Sequence, residues 1–554
     1  MLPRLTFILF VLAALASACV ADWPPPGGDY CPGGCTTTDP GGPGSTVASD
    51  PAPTTTDEPT STGLDTTGED PSTSSPDDTG STTAAEPEEP PSIVAFDVEP
   101  DLIEDNGQIH IQISTLGADG VRMQLETGDV IELTPGQADS FSGDIAVFTG
   151  LDNGERVAVL TPYRADLEGE PVAAPYYVAL PEPGSEIDWE TGNLIGSSGF
   201  VVAMGVLPER RWVELGTFYE MGEPRCFLRV RDLDGSWGLG DFMSVLPAYC
   251  TATDLTVNPV TGALHVLVDR KVDDGVRWWL AEIPSWGKGA KQIGVGSIGD
   301  KALALARHLD MLAVCGAKKV ATDDALDAFA VLVRPGQDGE ERLFDYRPTA
   351  NKNHAFTETI RDCAFDAFDG DTLVMVGEAR GLHDDEKWKR DRLALLEYDV
   401  LTHAEKWSVV GPTLGLQSRA LTLTIDSLKR YHVAGYHCLD ECEPDGDLWG
   451  FLPGGMLFTH TPLGLLGSDA VGPHDIAWSP AGYLVIASGE VQGQSYLFKV
   501  QAFAPENPVP LWTFTPKDMQ GLQIAFAVAV DPYGKICAGG IGAGNYPAFA
   551  CIGS

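Results

Sequence analysis

Val530-Asp-Pro-Tyr-Gly-Lys-Ile-Cys-Ala-Gly539 ends one apolar run, turns through Asp-Pro-Tyr-Gly, and opens a second apolar run that stops on glycine. This reads as strand, tight turn, strand: Pro and Gly stand where a turn fixes or inverts φ, and the flanks suit a pleated surface. Ser479-Pro-Ala-Gly-Tyr-Leu-Val-Ile-Ala-Ser-Gly489 is a looser copy of the same unit.

Outward from these two, a first strand recurs at Phe200-Val-Val-Ala-Met204, Asp254-Leu-Thr-Val257, Ala302-Leu-Ala-Leu-Ala306, Cys363-Ala-Phe-Asp-Ala367, Leu421-Thr-Leu-Thr-Ile425, Asp475-Ile-Ala-Trp478 and Ala525-Phe-Ala-Val-Ala-Val530. Successive starts lie 54, 48, 61, 58, 54 and 50 residues apart. Second strands ending near glycine align at Leu373-Val-Met-Val-Gly377, Tyr431-His-Val-Ala-Gly435 and Lys535-Ile-Cys-Ala-Gly-Gly540. A third strand follows each pair, as in Trp278-Trp-Leu-Ala-Glu282 and Tyr496-Leu-Phe-Lys-Val500. A more polar fourth is readable at Lys406-Trp-Ser-Val-Val410 and Leu511-Trp-Thr-Phe514. Four strands repeated seven times is the pattern of a β-propeller. The seventh unit has no fourth strand of its own, and Glu186-Ile-Asp-Trp-Glu190, which carries a Trp as other fourth strands do, is expected to complete it. Closure of this kind removes an exposed sheet edge. Ala302-Leu-Ala-Leu-Ala-Arg-His-Leu-Asp-Met-Leu312 resembles a helix locally, but its register with the other copies makes it a hairpin.

Upstream, Ile93 to about Pro183 holds seven short runs with period-two patterning, among them Gln108-Ile-His-Ile-Gln-Ile113 and Arg156-Val-Ala-Val-Leu160. They fit an Ig-like β-sandwich without cysteine. His110 alternates with isoleucines, so it is expected to face solvent rather than a metal. From Thr36 to Pro91 there is no Lys, Arg or aromatic residue, and Cys19 to Ser92 holds fourteen acids and no base. Such a segment buries too little apolar area to order itself, so a disordered, extended tether averaging roughly 40 Å is expected. Met1 to Ala18 has one charge, Arg4, then an apolar run from Leu5 to Leu15, then Ala16-Ser17-Ala18, the layout of an export signal. The domains are therefore a signal peptide (1–18), an acidic lipid-anchored tether (19–91), an Ig-like sandwich (92–184) and a seven-bladed β-propeller (185–554). The fold class is all-β.

Ala16-Ser17-Ala18-Cys19 resembles a bacterial lipobox, although Leu15 stands four residues before the cysteine rather than three. The resemblance implies acylation of Cys19 and, with Val20 following, outer-membrane retention. Ordinary cleavage after Ala18 is the other reading. The unit Val530 to Gly539 resembles the D-x-x-G-K-I-x-x-x-G core of delta-60-type propeller repeats. The whole layout from Cys19 to Ser554 is similar to a myxobacterial-type surface lipoprotein with an Ig-like module. The resemblance implies architecture, since such families carry no assigned activity.

The chain has 554 residues and a formal net charge of -45, from 35 Lys and Arg against 80 Asp and Glu. That balance excludes nucleic acid, which needs clustered bases, and docking on anionic lipid through the protein surface. Setting Cys19 aside, ten cysteines remain, an even set suited to disulfides in an exported chain. Proximity pairs Cys31 with Cys35, Cys226 with Cys250, Cys438 with Cys442, and Cys537 with Cys551, leaving Cys315 and Cys363 to join neighbouring repeats.

Candidate chemistry is thin. Gly294-Val-Gly-Ser-Ile-Gly299 matches a dinucleotide fingerprint but falls between blades, without a strand-helix context. His437, Cys438, Cys442 and Asp445 have zinc-ligand types, with a disulfide between the two cysteines as the favoured reading. Asp232, Asp234, Asp445 and Asp447 form acidic turns that lack EF-hand spacing. Lys387, Lys389, Arg390 and Arg392, interleaved with Trp388 and Asp391, are expected at a solvated hairpin tip. No catalytic residue, metal or cofactor is assigned. The expected function is a cell-surface binding or scaffold module, monomeric, touching the membrane only through its N-terminal lipid and taking an unknown protein or glycan ligand. The alternative is an exported polysaccharide hydrolase or lyase using propeller carboxylates. A quinoprotein is a third possibility, which visible absorbance would test.

Overall fold

A computed structural model describes residues 89–553, apart from the connections 148–152, 192–197, 232–236, 239–245, 320–325, 347–356, 382–389, 412–416, 439–443, 466–471, 518–521 and shorter gaps. The signal, Cys19, Cys31, Cys35 and nearly all of the tether lie outside the described residues, as do Cys442, Asp232, Asp234, Lys387, Trp388 and Lys389.

The first region is two sheets around one core. In Gly107–Leu116, Ile109, Ile111 and Ile113 are fully buried while Gln108, His110 and Gln112 are exposed. The period of two turns one face of this strand inward. Its partners Ser92–Glu99 and Ser140–Val147 flank it, and the facing sheet is built on Gly154–Arg164 between Val172–Val178 and Gly120–Gln124. Val121, Met123, Leu160 and Val178 meet the three isoleucines in a single apolar cluster. His110 is exposed and hydrogen-bonded to Asp144 at 2.9 Å.

From Glu186 on, seven antiparallel four-stranded sheets follow one another in chain order. Their first strands are Gly199–Val206, Cys250–Val257, Asp300–His308, Thr357–Phe365, Gln417–Ile425, Pro473–Trp478 and Ile524–Val530. Each first strand packs on the next, and that of the seventh sheet packs on that of the first. The hairpin reading of residues 302–312 holds, as strands Asp300–His308 and Met311–Lys319. Glu186–Thr191 pairs antiparallel with Tyr546–Ile552 and is the outer strand of the seventh sheet, with Trp189 opposite Ala550. Trp189 packs edge-on to Phe498 of the sixth sheet at 5.1 Å.

Each junction between neighbouring sheets has its own apolar cluster. Val213, Leu228, Val266 and Ile283 fill the first junction; Leu267, Trp278, Val314 and Phe329 the second. Val201, Phe227, Ala527 and Phe549 join the seventh sheet to the first. Full burial of a large side chain such as Trp278, Trp449 or Phe498 contributes about 1.5–3 kcal/mol.

Two local rules explain the repeat motif. Every first strand carries a bulge at the same place, between Val201 and Ala203, Ala252 and Asp254, Ala302 and Ala304, Ile360 and Asp362, Ala420 and Thr422, Pro473 and Asp475, and Ala525 and Ala527. Opposite the bulge the second strand has Gly216, Gly316, Gly377, Gly435 and Gly540, where a Cβ would collide with a first-strand carbonyl. The turn that follows contains one left-handed residue in every sheet: Arg210, Gly262, Leu309, Gly370, Lys429, Gly482 and Gly534. In the D-x-x-G version Asp531 Oδ1 accepts the Tyr533 and Lys535 amides, both at 2.9 Å. Asp426 does the same for Leu428 and Arg430 at 2.8 Å. The carboxylate satisfies amides that the turn leaves unpaired, so Asp recurs there.

Candidate functional site

Antiparallel strands put the connections of each sheet at two opposite ends. One end carries the turns between first and second strands, such as 531–535, and those between third and outer strands, none longer than the seven residues 284–290. The other end carries second-to-third and sheet-to-sheet connections, which reach eight (382–389), ten (347–356) and eleven (239–249) residues. The sandwich touches the short-turn end. Gly107 lies against the Arg210 guanidinium, Asp144 acts electrostatically on Tyr533, and Arg210 stacks over Tyr533 at 5.1 Å. The chain joining the two regions is fixed by Gly184 N–H donating to Gly553 O at 2.7 Å.

At the long-connection end, first-strand side chains converge. Arg361 donates to both Glu378 oxygens, at 3.1 and 2.8 Å. Arg419 donates to Asp391 at 2.9 Å and to the Tyr436 hydroxyl at 2.8 Å. His474 packs on Phe526 at 4.8 Å, and Phe526 on Phe200 at 5.7 Å. Arg361 and Arg419 are thus each matched by a carboxylate.

Deeper in, the residues after the seven bulges read Ala203, Asp254, Ala304, Asp362, Thr422, Asp475, Ala527. The three aspartates are half-buried. Each caps its own bulge with one oxygen: Asp254 accepts from Leu255 N at 2.7 Å, Asp362 from Cys363 N at 2.7 Å, Asp475 from Ile476 N at 2.8 Å. The other oxygen reaches the next sheet, accepting from Leu305 N at 2.6 Å, Leu423 N at 2.7 Å and Val528 N at 2.8 Å. Burial pushes the Asp362 carboxyl up to about 6 and that of Asp475 to about 7, against these amide bonds. Asp254 is also pushed well up by burial, and Asp362 and Asp475 add to it. The three stand at the same place in the first strands of sheets two, four and six.

The fifth sheet holds a second titratable group. Asp447, fully buried, is hydrogen-bonded to His437 Nδ1 through one oxygen and lies 2.6 Å from His460 Nε2 through the other. His460 stacks on Trp449 at 6.1 Å. Burial raises the Asp447 carboxyl, and the two imidazoles oppose that. Asp447 thus orients both rings, holding His437 through Nδ1 and His460 through Nε2.

The other sequence candidates are placed as follows. Cys226 and Cys250, Cys315 and Cys363, and Cys537 and Cys551 are paired as disulfides. Such bonds are compatible with an exported protein, and among the described residues no helix is long and apolar enough to cross a membrane. Cys438 is buried in the fifth sheet. His437 turns to Asp447 rather than to Asp445, and among the described residues no His, Cys, Asp and Glu group has metal-site geometry. Asp447 is a buried partner of histidines rather than a solvated turn, because its neighbours on the strand are Leu448 and Trp449. Arg392 is also buried, within strand Arg390–Asp399, which corrects its placement at a solvated tip. Gly294 pairs with Leu280 in an antiparallel sheet, so the glycine-rich segment has no strand-helix context. The aspartate series and the Asp447 histidine pair escaped the sequence reading. A period of two sheets, from Asp254 to Asp362 and from Asp362 to Asp475, was the available signal.

No family model matches the chain, and no curated protein does. The solved structures that match it include three of low identity. A structural genomics protein of unknown function from Bacteroides thetaiotaomicron VPI-5482 is 12% identical, with 72% of this chain and 96% of that one covered and a TM-score of 0.32. Kuenenia stuttgartiensis hydrazine synthase is 13% identical over 63% of this chain and 94% of that one, at 0.40. The β-propeller domain of the Trilobed protease from Pyrococcus furiosus is 11% identical over 64% and 94%, at 0.37. The described residues of the chain are all-β, and one of these three structures is a β-propeller domain.

Proposed function

We propose that the seven sheets are the blades of a seven-bladed β-propeller completed by Glu186–Thr191, that residues 92–184 are an Ig-like module, and that the chain is a binding or scaffold protein held at the cell surface by lipid on Cys19. The contact surface is the long-connection end. The observation that carries this reading is the position of the sandwich. It sits on the short-turn end at Arg210 and Tyr533, which leaves the end with the longer connections on the opposite side. Binding residues sit on such connections because a rigid scaffold positions them while their sequence stays free to vary.

The ligand is a protein or glycan, and no catalysis is expected. The mature chain, monomeric in solution, is applied to a glycan array and incubated with a polysaccharide panel. Capture without turnover is expected, and His474→Ala and Phe526→Ala at the long-connection end weaken it, whereas Val260→Ser and Leu428→Ser on the short-turn end leave it intact. Release of reducing ends would instead favour the hydrolase or lyase. Cys19→Ser should abolish labelling by a radioactive fatty acid; persistent labelling would rule out the anchor at that residue.

A further inference from the structure

One side of the sandwich stays open. Ser92–Glu99 is the outermost strand of its sheet, and beside it the facing sheet ends in Val172–Val178, which the two-residue strand Leu102–Ile103 pairs at Tyr177 and Val178. Phe96 stands opposite Ile113 and Val98 opposite Ile111, both fully buried, so Phe96 and Val98 belong to the inward face of their strand. Phe96 is nevertheless 37% exposed. The gap between the two edges is an open groove of about 890 Å³ lined by Phe96, Asp97, Val98, Glu99, Pro100 and Pro175.

The groove is poorly suited to another strand. The Val98 amide is met by the Asp97 carboxylate of its own strand at 3.1 Å, a bulge interrupts the register between Ile93 and Ala95, and the other edge carries Pro175, which has no N–H. What the groove offers is side-chain chemistry: an aromatic ring, two prolines and the exposed carboxylates of Asp97 and Glu99. Between 97 and 105 the sequence has five acids and no base. Residues 92–184 contain three arginines and no lysine. Arg122 is held by Glu132 and Glu168, Arg156 by Glu126, and Arg164 lies beside Gly117.

We propose that this groove holds an extended, arginine-bearing segment of a partner protein, a second interaction surface distinct from the long-connection end of the ring. A guanidinium lies flat on an aromatic ring while its planar fork donates to a carboxylate, and Phe96 beside Glu99 and Asp97 supplies both partners. A segment in the polyproline conformation is recognised through side chains and an aromatic-lined groove, without extending a sheet, which suits an edge closed to strand addition. The chain's own tether is not the occupant, because Cys19 to Ser92 holds fourteen acids and no base. A second copy would bring another net charge of -45 against the same carboxylates.

The test is fluorescence anisotropy of a short labelled peptide of Pro-Pro-Arg repeats added to the mature chain at about 0.15 M salt, which screens general attraction beyond about 8 Å. Glu99→Lys should weaken binding on the order of tenfold or more, because a charged hydrogen bond becomes a repulsion. Glu405→Lys, an equal charge change at an exposed position of the ring, should leave it within about twofold. Phe96→Ser should weaken it about threefold, and Pro-Pro-Lys repeats should bind about threefold more weakly than the arginine peptide. Equal weakening by Glu99→Lys and Glu405→Lys would reduce the contact to general attraction and overturn the proposal, as would equal affinity for the arginine and lysine repeats. Should Phe96→Ser not fold, hydrogen exchange on the wild-type chain decides. The arginine peptide should slow exchange at 96–99 and leave the ring unchanged, and unslowed exchange at those amides refutes the groove.

Discussion

The sandwich and the ring are both β-sheet, yet they are held together differently. The sandwich closes on one apolar cluster, and Thr115 is the single buried polar residue there among the described residues. The ring divides its apolar burial among separate junctions and buries Glu214, Arg229, His265, His432, Asp447 and Asp531 as well. The cause is shape. Two sheets facing each other across one plane can fill the gap with Ile, Val and Leu at any point. Sheets arranged around a centre are wedged: the space widens outward, where Trp278, Trp449 and Phe498 fit, and narrows inward, where Ala203, Ala304 and Ala527 remain. Near the centre the bulges also free amides that only a polar group can satisfy, which is why carboxylates enter. The ring thus depends on polar partners whose loss is costly, and the sandwich does not.

The largest break in that contrast is expected from Glu214→Ala. Glu214 is fully buried and hydrogen-bonded to Arg229, itself 3% exposed, so the substitution removes a carboxylate from a buried guanidinium. A loss of about 3–5 kcal/mol in equilibrium unfolding is expected. A loss below about 1 kcal/mol would mean that water reaches the pair.

The next effect depends on pH. His265 is buried with neither ring nitrogen hydrogen-bonded, and burial, aided by Arg307, lowers its value to about 4. A histidine depressed in the folded state stabilises the fold above its unfolded value near 6.5 and loses that contribution as pH falls toward 4. His265→Met should therefore be nearly neutral at about pH 8 and remove on the order of 2–3 kcal/mol of acid destabilisation by about pH 4. Superimposable acid limbs for variant and wild type would contradict this.

Gly435→Ala adds a Cβ against the Arg419 carbonyl opposite the bulge. Overpacking of this kind should cost about 1–3 kcal/mol, read as a lowered denaturation midpoint. The smallest effect belongs to the sandwich. Ile113→Val trims a fully buried side chain without exposing a polar group and should cost about 0.5–1.5 kcal/mol. A cost comparable to that of Glu214→Ala would erase the difference between the two regions.

The alternation Gln108-Ile-His-Ile-Gln-Ile113 already states which face of its strand is buried, because a strand has only two faces. The Asp-Pro-Tyr-Gly turn and the recurring Gly of the second strand likewise mark local backbone needs that neighbouring residues satisfy. Trp189 was recognisable as part of an outer strand from its likeness to Trp407 and Trp512. Asp254, Asp362 and Asp475 were not separable from the other acids of so acidic a chain, because what distinguishes them is an amide donated by a different sheet some 50 residues away. Asp447 was read as a turn acid for the same reason: His460 reaches it only across strands.

The chain by itself determined the strand periodicity, the turns and the repeat, since each depends on dihedral preference and side-chain alternation within a few residues. Tertiary packing alone decided which carboxylates are buried, which sheets share an aspartate, and which end of the ring the sandwich covers. Those outcomes rest on desolvation and on partners distant in sequence, and neither exists until the sheets come together.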